Sequence, residues 1–551
     1  MSHSTNQHDE ILRSLHLTEF FTKETKEKSA VISINSSENP VVTGLEYNSR
    51  NVKKGNLFFA LSGLHTNGSL YIEDAVKNGA SVIVHENDIA KKSEGVVYIK
   101  VKNSRFAMSP VSAAFYDFPS KHLLITGVTG TEGKSTTVYL IWQLLTMLGK
   151  KAGFISTVQH CLGNGVLDNS EHQTTPEATV IQRLLYEMAH NGCEYAVLET
   201  SSHGLSPRTN RLGDVDFCSG VLTNVTHEHL EFHGTWEQYR DDKANLFRAV
   251  NRYAPPSGHL IKWPEFKEPF GVVNADDKSS RYFSKLLRHK TFSFSPEGRD
   301  GGIVIEAIKS SAWGNWYMAL IPENKEQIEL RDKLPGAFNS ANVLAAMLTV
   351  SGLLNLPLRE IAPFVNKLKP VRGRMTAIEK GQPFEVVVDY AHTPSSFQTI
   401  YPPLYSRIKK DGGRIISLFG SAGERDTQKR PEQGKIASLY SDIIVLTDED
   451  PRGESPMSIL EEIALGCYAT QGCINFILDE NLFLIPDRPS AIRKAFSLAR
   501  KGDLVLLLGK GHENSIIYAD HVMPYDEITE AEKALDEINN PALKGQGILF
   551  L

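Results

Sequence analysis

The feature that most constrains the fold is a short apolar strand followed at once by a glycine-rich loop and a helix. Residues 121–137 read KHLLITGVTGTEGKSTT, and helical spacing continues beyond them. In such a loop the backbone N–H groups converge on phosphate oxygens, a lysine reaches the β- and γ-phosphates, and a serine hydroxyl holds Mg²⁺. The positive end of the helix adds to the attraction for phosphate. We therefore predict a nucleoside triphosphate site centred on Lys134 and Ser135.

The loop departs from the usual phosphate-loop pattern in the position of one glycine. The pattern requires glycine where this chain has Val128, and the glycines stand instead at positions 127, 130 and 133. A glycine-rich turn that binds nothing is the alternative, which the preceding strand and following helix disfavour. The predicted ATP contacts are Gly127, Thr129, Gly130, Thr131, Glu132, Gly133, Lys134, Ser135 and Thr136.

Length and charge limit the classes of protein to which this chain can belong. The 551 residues predict about three domains, and 41% hydrophobic with 23% charged residues is typical of a globular protein. A net charge of −6 argues against a nucleic-acid binder. Five dispersed cysteines, no signal-peptide pattern and no apolar run of about 18–20 residues indicate a cytoplasmic protein that does not enter a membrane.

Three units are predicted along the chain, and all belong to the α/β class. Residues 1–118 contain short strands and a helical segment. Residues 119–368 alternate apolar strands with helices, which predicts a parallel sheet, and the β-rich stretch at about 290–332 is read as a small antiparallel appendage. Residues 369–551 contain apolar strands that end in polar or glycine-rich loops, where active sites of open α/β sheets lie.

Polar residues at strand ends in the second unit suggest metal or anion chemistry. Glu199 ends the strand EYAVLE and suits a Mg²⁺ ligand, although the Ser and Thr residues after it also suit a helix cap. The stretch 224–234, NVTHEHLEFHG, resembles a zinc site, but its spacing is not HExxH, so a Mg²⁺ site or structural histidines remain alternatives. Thr174 and Thr175 would bind an anion or cap a helix. Lys243, taken alone, reads as a solvated lysine.

The third unit places cations and carboxylates at the ends of four strands. Asp389 would accept ribose hydroxyls, and Arg425 would clamp a carboxylate with two hydrogen bonds. Residues 448–452 and 509–513 follow two further strands. This mixture fits a zwitterionic substrate such as an amino acid, and ordinary loop charges are the alternative.

Taken in order, these motifs resemble those of the Mur ligases, the ATP-dependent amide-forming enzymes of peptidoglycan precursor synthesis. The resemblance runs from Thr43 to about Glu513 and is closest to the MurE-type members, which add the third, diamino, residue to UDP-N-acetylmuramoyl-L-Ala-D-Glu. It implies a three-domain architecture with a phosphate-loop central domain and a Rossmann-like C-terminal domain. The matching segments are YNSRNVKKGNLFFALSGLHTNGSLYI (47–72), GVTGTEGKSTT, TTP, ETSSH, NVTHEHLEFHG, GAFNSANVLAA (336–346), RGRM, DYAHTP, GERDTQKRP, DPR and GKGHE.

The resemblance implies a role for each matching residue. It makes Lys134, Glu199, His229 and Lys243 the catalytic set. Ser135 would hold the Mg²⁺ of ATP, Glu199 and His229 a second Mg²⁺, and Lys243 would be a carbamylated lysine supporting that metal. Further ATP contacts would be Asn339, Arg374 and Asp389. The UDP-muramoyl dipeptide would meet Ser49, Thr174, Thr175, Ser202 and Arg211. The diamino acid would meet Arg425, Asp450, Arg452, Gly509 and Glu513.

The chain departs from the family pattern at three positions. Glu132 replaces the usual Asn of the phosphate loop and Glu228 replaces the usual Asp before His229. Asp450 replaces the Asn of the DNPR motif typical of diaminopimelate-adding members. Arg452 favours a second substrate carboxylate, whereas Asp450 favours an amine. The added residue therefore stays open among meso-diaminopimelate, L-lysine and L-ornithine.

The expected reaction needs no protein nucleophile. ATP would phosphorylate the D-Glu γ-carboxyl, and the amine would attack the resulting acyl phosphate, while the enzyme positions the reactants and neutralises charge. The expected protein is a cytoplasmic monomer with small-molecule partners and a role in cell-wall biogenesis, cell shape and cell division. The alternatives are another ligase of the superfamily, such as a folylpolyglutamate synthase, or a non-catalytic nucleotide-dependent scaffold.

Overall fold

The computed structural model describes residues 13–62, 67–169, 173–226, 230–255, 258–298, 300–311, 314–469 and 475–539. The chain divides into two compact units. Unit 1 comprises residues 1–134, 141–292 and 348–356, and unit 2 comprises residues 135–140, 293–347 and 357–551. In the described part of the chain, every helix is too short or too polar to cross a bilayer.

The N-terminal part of unit 1 is a small α/β layer. Its elements are β1 (Leu15–His16), α1 (Leu17–Phe20), α2 (Lys23–Lys28), β2 (Val31–Ile34), β3 (Val41–Val42), β4 (Leu45–Glu46), β5 (Leu57–Phe59), α3 (Ile72–Lys77), β6 (Val82–His85), β7 (Val97–Val101) and α4 (Ser104–Phe115). Five strands form a sheet in the order β2-β7-β6-β5-β4, in which β4 to β7 run parallel and β2 antiparallel. Every residue of β5 and β6 is buried, as expected for parallel strands.

The rest of unit 1 is built on a larger parallel sheet. Its elements are β8 (Leu124–Thr129), α5 (Lys134–Met147, continuing into unit 2), β9 (Ala152–Ile155), β10 (Gln159–Cys161), β11 (Val166–Asp168), α6 (Ala178–His190), β12 (Tyr195–Glu199), α7 (Ser202–Leu205), β13 (Phe217–Leu222), α8 (Leu230–His233), α9 (Trp236–Val250), α10 (His259–Lys262), β14 (Phe270–Asn274) and α11 (Ser280–Leu286). The strand order is β11-β10-β9-β12-β8-β13-β14. Strands β9, β12, β8, β13 and β14 are parallel, so their carboxyl ends share one edge.

Unit 2 contains an antiparallel hairpin region and a second parallel sheet. Its elements are β15 (Lys290–Ser295, beginning in unit 1), β16 (Ile303–Ser311), β17 (Gly314–Ile321), β18 (Glu326–Arg331), α12 (Asn339–Leu354, ending in unit 1), α13 (Leu358–Val365), β19 (Thr376–Ile378), β20 (Glu385–Asp389), α14 (Pro394–Lys410), β21 (Ile415–Phe419), α15 (Lys429–Tyr440), β22 (Ile443–Leu446), α16 (Pro456–Ala469), β23 (Leu482–Leu484), α17 (Arg488–Leu498), β24 (Leu504–Leu508), β25 (Ser515–Ile517), β26 (Val522–Pro524) and α18 (Glu527–Asn539).

The six-stranded sheet of unit 2 has the order β19-β20-β24-β21-β22-β23. Only its edge strand β19 is antiparallel among these described strands. Strands β21, β22 and β24 are buried throughout, because helices cover a parallel sheet on both faces. Strands β16, β17 and β18 pair antiparallel, which confirms the predicted β-rich segment.

The predicted α/β class is confirmed, with a parallel sheet behind the phosphate loop and a second parallel sheet in the C-terminal part. The apolar runs read as strands in the second and third units all form strands. Four cysteines are buried free thiols, and Cys473 lies outside the described residues. The domain boundaries at residues 118/119 and 368/369 stay predictions.

Candidate active site

The glycine-rich loop leaves the carboxyl end of β8, between two parallel neighbours. Gly130 and Gly133 have backbone φ values of +153° and +81°, and α5 begins immediately afterwards at Lys134. A Cβ at position 130 would overlap the Thr223 hydroxyl, so the loop can approach β13 only because this residue is glycine. The glycines therefore give the loop the tight backbone path that phosphate loops require between strand and helix.

The end of β13 holds the loop in this shape. The Thr131 N–H donates to the Asn224 carbonyl at 2.9 Å, and the Glu132 N–H donates to Asn224 Oδ1 at 2.9 Å. The Glu132 carbonyl accepts from Asn224 Nδ2 at 3.1 Å and from Thr223 Oγ1 at 2.6 Å. Sequence reasoning gave Asn224 no role, although it stands at the start of the NVTHEH motif. Glu132, which stands where the family pattern has Asn, therefore lies on a backbone segment that Asn224 holds in place.

Two lysines point their ammonium groups at this loop. Lys134 Nζ donates to the Thr131 carbonyl at 2.7 Å, and Lys243 Nζ donates to the Gly130 carbonyl at 2.6 Å. Lys243 is only 2% exposed and lies 4.3 Å from the centre of the Tyr239 ring. Reading Lys243 as a solvated lysine is therefore wrong: helix α9 carries it inward, because its neighbours on that face are apolar core residues.

Glu199 lies beside the loop, since β12 pairs with β8 and Glu199 stands opposite Val128. Its buried carboxylate accepts from the Thr157 N–H at 2.8 Å. Thr175 Oγ1 donates to the Glu199 carbonyl at 3.1 Å and accepts from the Ser201 N–H at 3.0 Å. The Ser201 side chain caps α7, so the capping alternative applies to Ser201. Metal binding by Glu199 stays a prediction.

The oxygen donors around the loop suit Mg²⁺ and the phosphates of ATP. Within the described residues, the buried hydroxyls of Thr129 and Thr200, at the ends of adjacent strands, have no hydrogen-bond partner. Together with the Glu199 carboxylate they form an oxygen-rich set, the kind that Mg²⁺ prefers. The residues present therefore fit the expected metal and nucleotide.

Only part of the histidine-rich motif lies within the described residues. His229, with His227 and Glu228, lies outside them, so its metal role stays a prediction. No group of three or more His, Cys, Asp or Glu side chains forms a metal cluster in the part that the structure describes. His233 is buried: its Nδ1 pairs with Asp242 Oδ2 at 2.8 Å, and its Nε2 lies 3.0 Å from Ser202 Oγ. Sequence reasoning missed this chain, which ties α7, α8 and α9 together beside Lys243.

The residues predicted to meet the UDP-muramoyl dipeptide fall into two places in unit 1. Thr175, Ser202 and Arg211 lie together, since Arg211 Nη1 donates to the Thr175 carbonyl at 2.8 Å. Thr174 is half-buried next to them, and α6 begins at Ala178, slightly later than the TTP motif predicted. Ser49 is buried in the N-terminal layer, where its carbonyl accepts from Asn78 Nδ2 at 2.9 Å. All five roles stay predictions.

In unit 2, the FNSAN segment contacts the start of α5. Thr137 Oγ1 donates to Asn342 Oδ1 at 3.1 Å, and Asn342 Nδ2 donates to Asn339 Oδ1 at 2.9 Å. This chain of hydrogen bonds joins Asn339, a predicted nucleotide contact, to the helix that follows the phosphate loop. Ser135 is buried at the first turn of that helix, and Thr136 is half-buried.

Asp389 holds two motifs of unit 2 together. Its carboxylate accepts from the Met375 N–H and from the Ala391 N–H, both at 2.7 Å, and burial raises its pKa. The Arg374 guanidinium stacks 4.7 Å from the centre of the Tyr390 ring. The RGRM and DYAH segments are thereby fixed to each other at the carboxyl end of β20.

A lysine that sequence reasoning missed forms ion pairs with two of the predicted amino-acid contacts. The buried ammonium of Lys510 donates to Asp450 Oδ1 at 2.9 Å and to Glu513 Oε2 at 2.6 Å. Glu513 also accepts from the Tyr390 hydroxyl at 3.1 Å, and Asp450 from the Ile517 N–H at 3.0 Å. The GKGHE motif carries Lys510 between the two carboxylates, a signal visible in the sequence but given no role.

Glu449 is a further carboxylate in this region. It is buried, burial raises its pKa, and its Oε2 has no hydrogen-bond partner among the described residues. A Cβ at Gly509, whose φ is +99°, would lie 3.2 Å from that oxygen. The Gly423 N–H donates to the Asp450 carbonyl at 2.8 Å, which brings the loop bearing the exposed Arg425 against the loop bearing Arg452.

Comparison with known proteins decides the family. Residues 41–116, 128–350 and 373–511 match, in that order, the models of the Mur ligase family catalytic domain, the Mur ligase middle domain and the Mur ligase glutamate ligase domain. A protein named UDP-N-acetylmuramyl-tripeptide synthetase from Treponema denticola is 49% identical, over 92% of this chain and 96% of its own length. The chain belongs to the Mur ligase family. Like other Mur ligases, it is an ATP-dependent amide ligase that uses Mg²⁺.

Other Mur ligases are similar over nearly the whole chain. A UDP-N-acetylmuramoyl-L-alanyl-D-glutamate–2,6-diaminopimelate ligase from Caldanaerobacter subterraneus is 34% identical, over 92% of this chain and 97% of that protein. A solved structure of a ligase with the same name superposes with a TM-score of 0.57 at 26% identity, covering 90% of this chain and 95% of the other. The chain therefore has the three-domain α/β fold of Mur ligases.

Proposed function

We propose that this Mur ligase joins a diamino acid to the D-Glu γ-carboxyl of UDP-N-acetylmuramoyl-L-Ala-D-Glu, with conversion of ATP to ADP and phosphate. The step belongs to peptidoglycan precursor synthesis. The observation that carries the proposal is the convergence of Lys134, Lys243 and Glu199 on one glycine-rich loop. The relatives named as tripeptide synthetases support the choice of substrate.

The side chains of unit 1 account for activation of the carboxylate. Lys134 and the loop N–H groups would bind the transferred phosphoryl group and stabilise the charge that develops on it. Glu199 and His229 would hold one Mg²⁺, which carbamylated Lys243 would support, and Ser135, which belongs to unit 2, would hold the Mg²⁺ of ATP. These ions would neutralise phosphate and carboxylate charge. Thr174, Thr175, Ser202 and Arg211 would orient the dipeptide so that its γ-carboxylate faces the phosphoryl group.

The side chains of unit 2 account for the incoming amine. Asn339, Arg374 and Asp389 would complete the nucleotide contacts. The polar loops that follow β21, β22 and β24 supply both signs of charge, as a diamino acid requires. Arg425 and Arg452 would bind carboxylate, and Asp450, Glu513 and the backbone at Gly509 would receive ammonium groups.

The experiment is to incubate the protein with ATP, Mg²⁺ and UDP-N-acetylmuramoyl-L-Ala-D-Glu, together with meso-diaminopimelate, L-lysine or L-ornithine in separate reactions. Mass spectrometry of the products is expected to show one tripeptide and identifies the added residue. Lys134→Ala is expected to abolish product while the protein still folds, because the phosphoryl group loses its main cation. No tripeptide with any of the three amino acids would reject the proposal.

Two rival functions are separated by simple measurements. A folylpolyglutamate synthase would use a folate substrate and would not bind UDP, so binding of UDP by calorimetry favours the proposed substrate. A non-catalytic scaffold would bind nucleotide without turnover. The presence of Lys134, Glu199 and Lys243 around the loop supports an enzyme instead.

We propose that the enzyme is a cytoplasmic monomer. Light scattering after size-exclusion chromatography is expected to give the mass of a single 61.2 kDa chain. A larger mass at working concentrations would contradict the monomer.

A further inference from the structure

Two arginines in unit 1 share one carboxylate oxygen. Arg105 Nη1 lies 2.8 Å from Glu177 Oε1, and Arg211 Nη2 lies 2.9 Å from the same oxygen. Arg105 comes from α4, Glu177 directly precedes α6, and Arg211 lies in the loop after α7. Three separate segments of the chain thus bring two cations to one anion.

The ion pairs of the cluster, among the described residues, join two cations to one anion. Two guanidinium groups face a single carboxylate, and neither pair is joined by the two parallel hydrogen bonds that guanidinium and carboxylate usually form. Among the described residues, Glu177 Oε2 and Arg211 Nε are buried without a hydrogen-bond partner. Because two guanidinium groups that share one carboxylate oxygen repel each other in a partly buried place, a further anion would stabilise the pair.

The cluster is held in place and can be reached. The Asn210 side chain donates to the Phe106 carbonyl at 3.1 Å, and the Asp214 N–H donates to Ser109 Oγ at 3.0 Å, so α4 is fixed to the loop that carries Arg211. The side chains of Arg105 and Arg211 remain 22% and 15% exposed. Both side chains therefore keep some surface that a ligand can reach.

The neighbours of the cluster indicate which ligand. Arg211 Nη1 donates to the Thr175 carbonyl, and Thr175 Oγ1 donates to the carbonyl of Glu199. The cluster thus adjoins the residues that the proposed function gives to the UDP-muramoyl dipeptide. That substrate carries carboxylates and a diphosphate, and both are planar or tetrahedral oxyanions that arginine binds well.

We propose that Arg105 is a substrate-binding residue, which holds an oxyanion of the UDP-muramoyl dipeptide together with Arg211 while Glu177 positions both guanidiniums. The inference rests on the proposed function for the identity of the ligand. The oxyanion is either a carboxylate of the peptide or the diphosphate, and the binding experiment below distinguishes these two groups.

The test is calorimetric titration of wild type and Arg105→Gln with UDP, UDP-N-acetylmuramic acid and UDP-N-acetylmuramoyl-L-Ala-D-Glu. We expect Arg105→Gln to bind the full substrate about 10-fold to 100-fold more weakly, the loss typical of a charged hydrogen bond. If the affinity for all three ligands falls equally, Arg105 binds the diphosphate. If only the affinity for the dipeptide substrate falls, Arg105 binds a carboxylate of the peptide. Affinity for an ATP analogue is expected to stay unchanged.

The matched control is Arg183→Gln. Arg183 lies on α6 and pairs with Glu187 at 2.8 Å, one cation to one anion, so its loss should not alter the affinity for any of the three ligands. Arg105→Lys keeps the charge but not the planar fork, and an intermediate affinity is expected. If Arg105→Gln fails to fold, the Arg105→Lys variant provides the test of the inference.

Wild-type affinity of both Arg105→Gln and Arg105→Lys for all three ligands would overturn the inference. An equal loss in Arg183→Gln would do the same, because it would show a general effect of charge. If the wild-type protein binds the dipeptide substrate but forms no amide, the proposed function is rejected. The inference about Arg105 is still tested in that case, because it depends only on the binding affinities.

Discussion

At the scale of single residues, Lys243 gives the sharpest test of the chemistry. Its ammonium is buried against the Gly130 carbonyl, where a cation alone would hold the loop. Lys243→Arg keeps the cation but cannot be carbamylated at neutral pH, because guanidinium does not lose its proton. If the carbamate supports Mg²⁺, turnover is expected to fall about 100-fold or more, measured as kcat. Turnover near that of the wild type would show that Lys243 acts only as a cation.

Asp450 sets the charge of the predicted amino-acid site. Lys510 is shared between Asp450 and Glu513, so Asp450 partly cancels a cation that could otherwise attract a second substrate carboxylate. Asp450→Asn is expected to shift the ratio of kcat/KM for meso-diaminopimelate over L-lysine upward, by about 10-fold, because one anionic repulsion is removed. An unchanged ratio would contradict this role for Asp450.

At the scale of structural elements, the phosphate loop depends on close contact with β13. Gly130→Ala places a methyl group against the Thr223 hydroxyl and strains a left-handed backbone. Affinity for an ATP analogue, measured by calorimetry, is expected to fall at least about 10-fold. Gly165→Ala is the matched control, since Gly165 has φ +122° but no atom within 4 Å of its Cβ position. Equal affinities of the two variants would show that loop packing is not required.

The loops after β20 and β24 predict acid sensitivity. Burial lowers the pKa of His392 to about 4 and that of His512 to about 3, whereas unfolded histidine titrates near 6.5. Below pH 6.5 the unfolded chain binds protons at these histidines and the folded chain does not. The free energy of unfolding is therefore unaffected by them above pH 6.5 and decreases as the pH falls toward 4. Burial raises the pKa of Asp448 to about 6, which acts in the opposite direction.

A histidine variant isolates this effect from that of Asp448. His512→Asn removes one group with a lowered pKa, so its melting temperature is expected to fall less than that of the wild type between pH 7.5 and pH 5. The measurement is thermal unfolding of both proteins at the two pH values. Equal losses would mean that His512 does not contribute to the acid sensitivity.

At the scale of the whole molecule, the sequence predicted most of the fold. Apolar runs such as those of β8 and β24 are fully buried, and their continuous hydrophobicity is what a parallel strand covered on both faces requires. The glycine-rich loop was predictable because its residue types match a backbone geometry. The placement of Glu199 beside that loop depended on strand order, which no single segment encodes.

Side-chain partners were harder to predict than strands. Lys243 looked solvated because its local sequence is highly charged, and only the packing of α9 shows that it is buried. The chain from Ser202 through His233 to Asp242, and the bridging role of Lys510, join residues on separate elements. Such contacts arise from tertiary packing, so periodicity and motif spacing cannot reveal them.

The central claim is that this Mur ligase couples ATP cleavage to amide formation on the UDP-muramoyl dipeptide. The most direct measurement is phosphate release with ATP and Mg²⁺, in reactions that omit the dipeptide substrate, the diamino acid, or neither. We predict release only when both are present, with one phosphate for each amide bond formed. Release at the same rate without either substrate would contradict the claim.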